Sequence, residues 1–304
     1  MLLPDITGRD PEGWKLLHIF YDNKLYNGVE DFRAAWKSPN FTKLTRQADG
    51  DWANTGKSGT APPLDARSPP IQIQPDGQRF AVDKDAKYVE WMDFSFYIGF
   101  KRDTGVNLYD IKYKGKRIIY ELGLQEAIAH YAGNDPYQSG TAYLDTFYGF
   151  GPWLFELVPG YDCPAYAAFL DSSYHEWGNT TTHKNSICLF EQDAGYPLRR
   201  HTSYNYASVT RNTVFTLRSM PTVGNYDYNF DYIFYWDGSI EIKVRASGYI
   251  QTAFYAHNED YGYHIHDATS GSMHDHVLNF KADLDILGVK NTFEKVDIVP
   301  CTKK

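Results

Sequence analysis

The sequence has few of the features that would direct it to a membrane or to nucleic acid. No stretch approaches the roughly 18 to 20 consecutive apolar residues that cross a bilayer. The first residues, Met1-Leu2-Leu3-Pro4-Asp5, turn polar too soon for a secretory signal peptide. The longest basic run is Lys114-Gly115-Lys116-Arg117, in a chain of net charge −8. We therefore expect no membrane span and no nucleic-acid partner.

Cysteine is scarce, with Cys163, Cys188 and Cys301 as the three residues of this type in 304. A bridge between the first two would close a loop of moderate length and leave the third unpaired, and the sequence alone leaves that pairing open. Two glycosylation sequons occur, Asn40-Phe41-Thr42 and Asn179-Thr180-Thr181. Such triplets arise often by chance, so they hardly change the expected compartment.

Aromatic residues are abundant, at 16% of the chain, and they favour a mainly β protein because they fit half-buried pleated surfaces. One segment carries them at every second position, with Asn or Asp between them as far as Asp231, which predicts a strand with one aromatic and one polar face. Asp237-Gly238 then predicts a turn, after which Ile240, Ile242 and Val244 resume the alternation. The aromatic positions of this strand are Tyr226, Tyr228, Phe230, Tyr232, Phe234 and Trp236.

The pattern along the chain predicts two domains. Residues 1–60 are interpreted as the end of a small α+β N-terminal domain, with a strand at 16–21 and a helix at 29–36, followed by a linker rich in Gly and Pro. Residues 61–304 are expected to form a large antiparallel β-sandwich, incomplete at its C-terminus. Within it, residues 126–131 are predicted as a helical turn and residues 278–286 as a strand.

His274-Asp275-His276 is a candidate metal site. In a strand, residues two apart point to the same side, so both imidazoles could face one ion. Imidazole suits copper, zinc or iron, and at least one further ligand is needed. An isolated pair of this kind is more often a surface or turn feature, and His264-Ile265-His266 has the same spacing.

Acidic residues offer two further candidates. Asp145 lies among aromatic residues and glycines, and a carboxyl buried there would have a raised pKa and could act as a general base. A turn-forming Asp is the alternative. In Asp283-Leu284-Asp285, two carboxylates on one strand face and the carbonyl between them could bind calcium. Solvated acids at a strand edge are the more frequent explanation.

Taken together, these motifs resemble the copper amine oxidases, which are topaquinone-containing primary amine oxidases, and in particular their fungal members. The cofactor signature of that family is matched by Thr222, Asn225, Tyr226 and Asp227. The family places a His-x-His pair and an Asp-x-Asp segment after this signature, and a catalytic Asp in an aromatic, Gly-rich segment before it. The resemblance runs from about residue 65 to the end of the chain, in the expected order.

The resemblance implies roles for the residues around the cofactor. Tyr226 would be the precursor of topaquinone, with which the substrate amine forms a Schiff base. Asp145 would be the proton acceptor, Tyr143 a gate over the ring, and Tyr131 a hydrogen-bond partner of a quinone oxygen. Asn225 would lie beside the ring and hold its orientation.

The resemblance also implies binding sites for ions and a covalent cross-link. Copper would be bound by His274 and His276, and calcium by part of a site at Asp283, Leu284 and Asp285. Cys163 and Cys188 would form the family's disulfide. The family's third copper ligand lies well beyond the pair, so the chain is expected to be truncated at both ends.

The function implied by the resemblance is the oxidative deamination of primary amines by O2, which releases an aldehyde, ammonia and hydrogen peroxide. A homodimer and a secreted or peroxisomal location are expected from the family, and the particular amine is not identified. One alternative is a catalytically inactive β-domain that lacks the third copper ligand. Another is a different oxygenase that binds Fe(II) through His274, His276 and a carboxylate.

Overall fold

The structure is a computed structural model that describes residues 1–45, 48, 50–57, 59–132, 138–255 and 262–300. The chain divides into two compact units, of which the first comprises Met1–Pro69, Ile128–Leu144 and Tyr249–Val277. The second comprises Pro70–Ala127, Asp145–Gly248 and Leu278–Lys304. Within the described ranges, no helix has the length and apolar character that a membrane span requires.

The described residues form mostly β-strands, with two α-helices. The elements of the first half of the chain are β1 (Leu2–Asp5), β2 (Lys15–Tyr21), β3 (Lys24–Tyr26), α1 (Gly28–Trp36), β4 (Ala81–Asp83), β5 (Tyr88–Trp91), β6 (Phe94–Lys101), β7 (Gly105–Tyr113), β8 (Lys116–Tyr131), β9 (Ala142–Leu144) and α2 (Asp145–Tyr148). Those of the second half are β10 (Ala168–Glu176), β11 (Asn179–Thr202), β12 (Ala207–Ser219), β13 (Thr222–Val223), β14 (Tyr226–Phe234), β15 (Ile240–Gly248), β16 (Ala253–Phe254), β17 (Tyr263–His266), β18 (Thr269–Gly271) and β19 (His274–Leu284).

In the first unit, the antiparallel sheet β1-β2-β3 packs with helix α1 through aromatic side chains. The ring of Tyr21 lies 5.7 Å from that of Phe32 on the helix and 5.4 Å from that of Phe41, which follows it. The predicted strand at 16–21 and helix at 29–36 are thus present. A second small sheet of this unit has the order β16-β18-β17.

The second unit is an antiparallel β-sandwich. One sheet has the order β10-β11-β12-β14-β13, with β15 paired to β14, and the other runs in the order β19-β8-β7-β6-β5-β4. Apolar side chains of both sheets form a single buried cluster. Phe96 of β6 and Phe234 of β14 stack face to face within it, with ring centroids 4.7 Å apart. The predicted mainly β fold with a large antiparallel sandwich is therefore confirmed.

The prediction of a helical turn at residues 126–131 is wrong, because this segment is the end of strand β8. Ala127, Ala129 and Tyr131 are each buried to 2% exposure, which is the period of two that a strand requires. The residues between them include Ile128, so apolar side chains follow one another and hide the alternation. Backbone pairing with β9 at Ile128–Leu144 and His130–Ala142 holds the segment extended.

The sandwich also buries charged groups that the alternation placed on a polar face. Asp231 of β14 is 1% exposed and is bound by two arginines from the neighbouring strands. Arg218 Nε donates to its Oδ1 at 2.6 Å, and Arg245 Nη1 donates to its Oδ2 at 2.7 Å. Each carboxylate oxygen therefore has a charged partner, which is the condition for keeping an acid in a protein interior.

A second charge cluster lies on the other sheet. Both Lys101 Nζ and Lys281 Nζ bind the Glu121 carboxylate at 2.6 Å, one on each oxygen. These hydrogen bonds lower the pKa of Glu121 from its ordinary value of 4.5 to about 2. The cluster joins β6, β8 and β19 through their side chains.

Candidate active site

Tyr226 opens strand β14 directly after a tight turn. Val223 and Tyr226 are paired residues of β13 and β14, which leaves Gly224 and Asn225 as the two loop residues. Gly224 has a φ of +61°, which glycine adopts without steric cost. The Thr222 hydroxyl donates to Asp227 Oδ1 at 2.6 Å and ties the two ends of the turn together. The four residues of the cofactor signature therefore share one hairpin turn, in which Asn225 is exposed and Tyr226 half-buried.

Gly248 of β15 is the cross-strand partner of Tyr226. Its φ is +99°, and a Cβ added to it would lie 2.2 Å from the carbonyl oxygen of Asn225 and 3.1 Å from Cα of Tyr226. The backbone of β15 thus lies against the backbone that carries Tyr226, at a distance that only glycine permits.

Asp145 is the first residue of α2 and is 6% exposed. Tyr228, two residues after Tyr226, donates a hydrogen bond from its phenol to Asp145 Oδ2 at 2.9 Å. Burial raises the pKa of the Asp145 carboxyl above its ordinary value; the nearby Glu126 carboxylate adds to the rise, and the Tyr228 hydrogen bond opposes it. A carboxyl in this environment is suited to act as a proton acceptor near neutral pH.

Tyr226 and Tyr228 lie on the same face of β14, with ring centroids 6.4 Å apart. The structure therefore joins the predicted base and the predicted cofactor tyrosine through one intermediate residue. The sequence analysis placed Tyr228 on the aromatic face of this strand and gave it no role in the chemistry. The signal for a further role was its place two positions after Tyr226, which puts both phenols on one side of a strand.

His274 and His276 begin strand β19, as the His-x-His spacing predicted for a strand. Their Nε2 atoms converge to 2.9 Å, which is the distance of an N–H···N hydrogen bond. It is also about the separation of two nitrogens that bind one metal at right angles with bonds of roughly 2.0–2.1 Å. Burial, together with the neighbouring His274, lowers the pKa of His276 and favours the neutral imidazole that binds metals. The pair thus fits two ligands of a copper ion.

The predicted tyrosines of the first unit lie beside this pair. The ring of Tyr131 stacks on that of His274 at 4.2 Å, and Tyr143 meets Tyr131 edge to face at 5.7 Å. Tyr131 is 2% exposed and lies at the end of β8. Within the parts of the chain that the structure describes, no cluster of three or more His, Cys, Asp or Glu residues could hold a metal. His264 and His266 lie on β17, where His266 stacks on Trp52.

The Asp-x-Asp segment lies at the end of β19, which closes at Leu284, so Asp285 follows the strand rather than belonging to it. Asp285 is 8% exposed, and Arg117 Nε donates to its Oδ2 at 2.6 Å. This carboxylate thus has an arginine partner, and calcium binding by Asp283, Leu284 and Asp285 stays a prediction.

Cys163 and Cys188 form a disulfide between residues 25 positions apart, one in the loop before β10 and one on β11. Both are buried, together with Leu157 and Phe190, in a small apolar cluster. The pairing implied by the family resemblance is present. Cys301 lies outside the described residues.

The chain thus carries a buried carboxyl bonded to an aromatic hairpin of a β-sandwich, and a pair of converging imidazoles of the kind that binds metals. Comparison with known proteins identifies the family. The model of the copper amine oxidase enzyme domain matches residues 81–304, and a domain of unknown function, DUF1965, matches residues 1–60. The chain belongs to the copper amine oxidase family.

Relatives and solved structures agree with this assignment. The chain is 52% identical over 300 residues to the copper amine oxidase vicK1 of Bipolaris victoriae, covering 98% of this chain and 42% of that protein. It is 34% identical to the human copper-containing amine oxidase 3, covering 98% of this chain and 39% of that one. The crystal structure of the Aspergillus nidulans amine oxidase superposes with a TM-score of 0.89 at 60% identity, covering 94% of this chain and 39% of that one. The Pichia pastoris lysyl oxidase superposes with a TM-score of 0.88 at 44% identity, covering 95% and 40%. The chain thus spans about two fifths of the length of these relatives.

Proposed function

We propose that the protein oxidises primary amines with O2 and water to an aldehyde, ammonia and hydrogen peroxide, as a copper- and topaquinone-dependent amine oxidase. Membership of the family supports amine oxidation in general. The observation that carries the proposal is the buried Asp145 carboxyl, bonded to Tyr228 on the strand that Tyr226 opens.

Asp145 acts in this proposal as the proton acceptor. Its role is to remove the proton from the carbon next to the substrate nitrogen, which requires the ionised carboxylate. Burial raises the pKa of Asp145 and so makes the carboxylate a stronger base than a solvated Asp. The Tyr228 phenol donates to Oδ2 and holds the group in one orientation, leaving Oδ1 for the proton.

Tyr226 is the residue that becomes the quinone, and His274 and His276 are the residues that would hold copper. The quinone supplies an electrophilic carbonyl and an electron sink when it is present, and copper with O2 is needed to form it from tyrosine. The turn fixed by Thr222 and Asp227 and the close approach of Gly248 determine where the backbone of Tyr226 lies.

Tyr131 and Tyr143 have two further roles in this proposal. Tyr131 is held by its buried ring, stacked on His274, and its phenol is assigned as the hydrogen-bond partner of a cofactor oxygen. Tyr143 meets Tyr131 at the ring edge and is half-buried, as a gating side chain must be if it is to move. Asn225 is assigned to hold the orientation of the cofactor ring.

The test replaces the two central residues in the full-length protein. Tyr226→Phe and Asp145→Asn should each abolish turnover of a simple primary amine, measured as peroxide release. Tyr196→Phe, at a 59% exposed tyrosine of β11, is the matched control and should keep normal activity. Near-normal activity in either of the first two variants would show that the roles assigned here are wrong.

A second candidate is a β-domain without catalytic activity, and the absence of a third copper ligand among the described residues favours it. The chain of 304 residues would be supplied with copper and O2 and examined for a visible quinone band and for quinone staining. A band that Tyr226→Phe removes supports the oxidase. If the chain forms no visible quinone band, the result supports the catalytically inactive domain. Activity with Fe(II) that survives Tyr226→Phe would identify the oxygenase instead.

Further features follow from the same proposal and have no direct observation in this structure. These are a homodimeric assembly and a calcium ion at Asp283, Leu284 and Asp285. The substrate is a primary amine whose identity is open.

A further inference from the structure

The hairpin between β10 and β11 has an unusual turn. Glu176 and Asn179 are its last paired residues, so Trp177 and Gly178 form a two-residue loop. Both loop residues have positive φ values, +53° and +76°. Turns of this kind normally contain Asn or Asp followed by Gly, because those residues tolerate the left-handed conformation. Here a tryptophan occupies the first position.

Trp177 packs little against the described residues. Its side chain is 95% exposed, so it buries almost no area against the sandwich. A bulky residue with positive φ is strained, and such strain persists where another role selects the residue. The indole is therefore accessible to a group beyond the described residues.

The residues that follow Trp177 are those of an N-glycosylation sequon. Asn179 is exposed at the first position of β11, and Thr181 lies two residues further on. Trp177 stands two residues before Asn179, in the two-residue loop that precedes it. The same strand β11 carries Cys188, which is bonded to Cys163. Disulfides form and persist in oxidising compartments, and these are the compartments in which such sequons are glycosylated.

We propose that Asn179 carries an N-linked glycan and that the first sugar of this glycan packs on the indole of Trp177. The apolar C–H face of a pyranose ring matches the large apolar face of a tryptophan, which otherwise lies in water. This site is independent of the proposed oxidase activity.

The modification is a group transfer from a lipid diphosphate-linked oligosaccharide, catalysed by the transferase of the secretory pathway. The bond between the anomeric carbon of the first sugar and the diphosphate oxygen breaks, and a bond from that carbon to Asn179 Nδ2 forms. The amide loses one proton, and the lipid diphosphate leaves with the electron pair of the broken bond. No electrons are gained or lost overall. The proposal therefore selects the secreted location over the peroxisomal one.

The site is tested by mass spectrometry on the protein isolated from its own source. Treatment with an amidase that removes N-glycans should lower the intact mass and convert Asn179 to Asp in the peptide that contains it. In the same host, Asn179→Gln and Thr181→Ala should abolish this mass shift at residue 179. Asn40→Gln, at the other sequon, should leave it intact. An unmodified Asn179 in the isolated protein overturns the proposal.

The packing on Trp177 is tested by thermal unfolding. Removing the glycan should lower the Tm of the wild-type protein by a few degrees, because the indole loses its covering sugar. In Trp177→Ala, glycosylation at Asn179 should persist, and removing the glycan should leave the Tm unchanged. An equal loss of Tm in both proteins would show that the sugar does not pack on Trp177.

Discussion

The phenol of Tyr228 donates a hydrogen bond of 2.9 Å to Oδ2 of Asp145, across 83 residues of sequence. This bond joins strand β14 to the start of α2 inside the sandwich unit. It stabilises the ionised carboxylate, whereas burial and Glu126 favour the protonated acid. The basicity of Asp145 is therefore set by its burial and by two groups that the fold brings to it, Tyr228 and Glu126.

Tyr228→Phe should raise the pKa of Asp145, because the variant removes the one contact that lowers it. A hydrogen bond donated to a charged carboxylate stabilises its ionised form, so its loss favours the protonated acid. If the carboxylate is the active form, the acidic limb of the kcat/KM profile of the full-length enzyme should move to higher pH. Tyr232→Phe, which removes a buried hydroxyl bonded to the carbonyl of Val106, is the control and should not move it. An unchanged profile for Tyr228→Phe would remove this residue from the mechanism.

Gly248→Ala should displace the backbone of Tyr226. Its Cβ would lie 2.2 Å from the Asn225 carbonyl oxygen, so β15 and the turn must separate. We expect the free energy of unfolding to fall by several kcal/mol. If the variant still folds, we expect it to lose quinone formation at Tyr226. Gly115→Ala is the matched control: its φ is +73° and nothing lies within 4 Å of an added Cβ, so it should cost only about 1–2 kcal/mol of strain. Equal losses in the two variants would contradict the steric argument.

Asp231→Ala should be strongly destabilising. It leaves Arg218, whose side chain is 18% exposed, without its carboxylate. Breaking a buried ion pair in this way costs about 3–5 kcal/mol, and the double variant with Arg218→Met should recover part of the loss. Asp193→Ala removes a carboxylate that is 41% exposed beside Arg211, and we expect a cost of about 0–1 kcal/mol. Urea unfolding measures the free energy of unfolding of both single variants. Similar losses in Asp231→Ala and Asp193→Ala would refute the predicted difference between a buried and an exposed carboxylate.

Glu121 should make the free energy of unfolding depend on pH in the acidic range. Its pKa is lowered to about 2 in the folded protein from 4.5, so the unfolded chain binds the proton more readily. The stabilisation is thus complete above about pH 4.5 and is lost as the pH falls through about 2. Between pH 5.5 and 3, the unfolding free energy of wild type should fall more steeply than that of Glu121→Gln. Lys281→Met, which keeps Lys101 as the remaining partner, should give an intermediate slope. Equal pH slopes for wild type and Glu121→Gln would rule out a contribution of Glu121 to the pH dependence of stability.

Local patterns predicted the elements whose side chains alternate cleanly, and they missed contacts between distant segments. The β14–β15 hairpin and the turn at Asp237-Gly238 follow from a period of two and a turn residue with positive φ, which is +95° at Gly238. Residues 126–131 were mistaken for a helical turn, because Ala and Ile in succession satisfy both periods.

The residues of the candidate site show the same difference between local patterns and contacts of distant segments. Tyr226, Asp145, His274 and His276 were predicted from motifs in the sequence. The bond between Tyr228 and Asp145 has no such motif, since its two residues are brought together only by the packing of the sandwich. The burial of Asp231 likewise depends on Arg218 and Arg245, which lie on other strands.

The pairing register of strand β14 also fixes the place of Tyr226 at its start. Nine residues from Tyr226 to Phe234 span about 26–30 Å at the rise of a strand. A slip of one residue would turn Phe230, Tyr232 and Phe234 out of the core and separate the buried Asp231 from its two arginines. The register of the far end therefore selects, among the 25 tyrosines of the chain, the one presented at the near end.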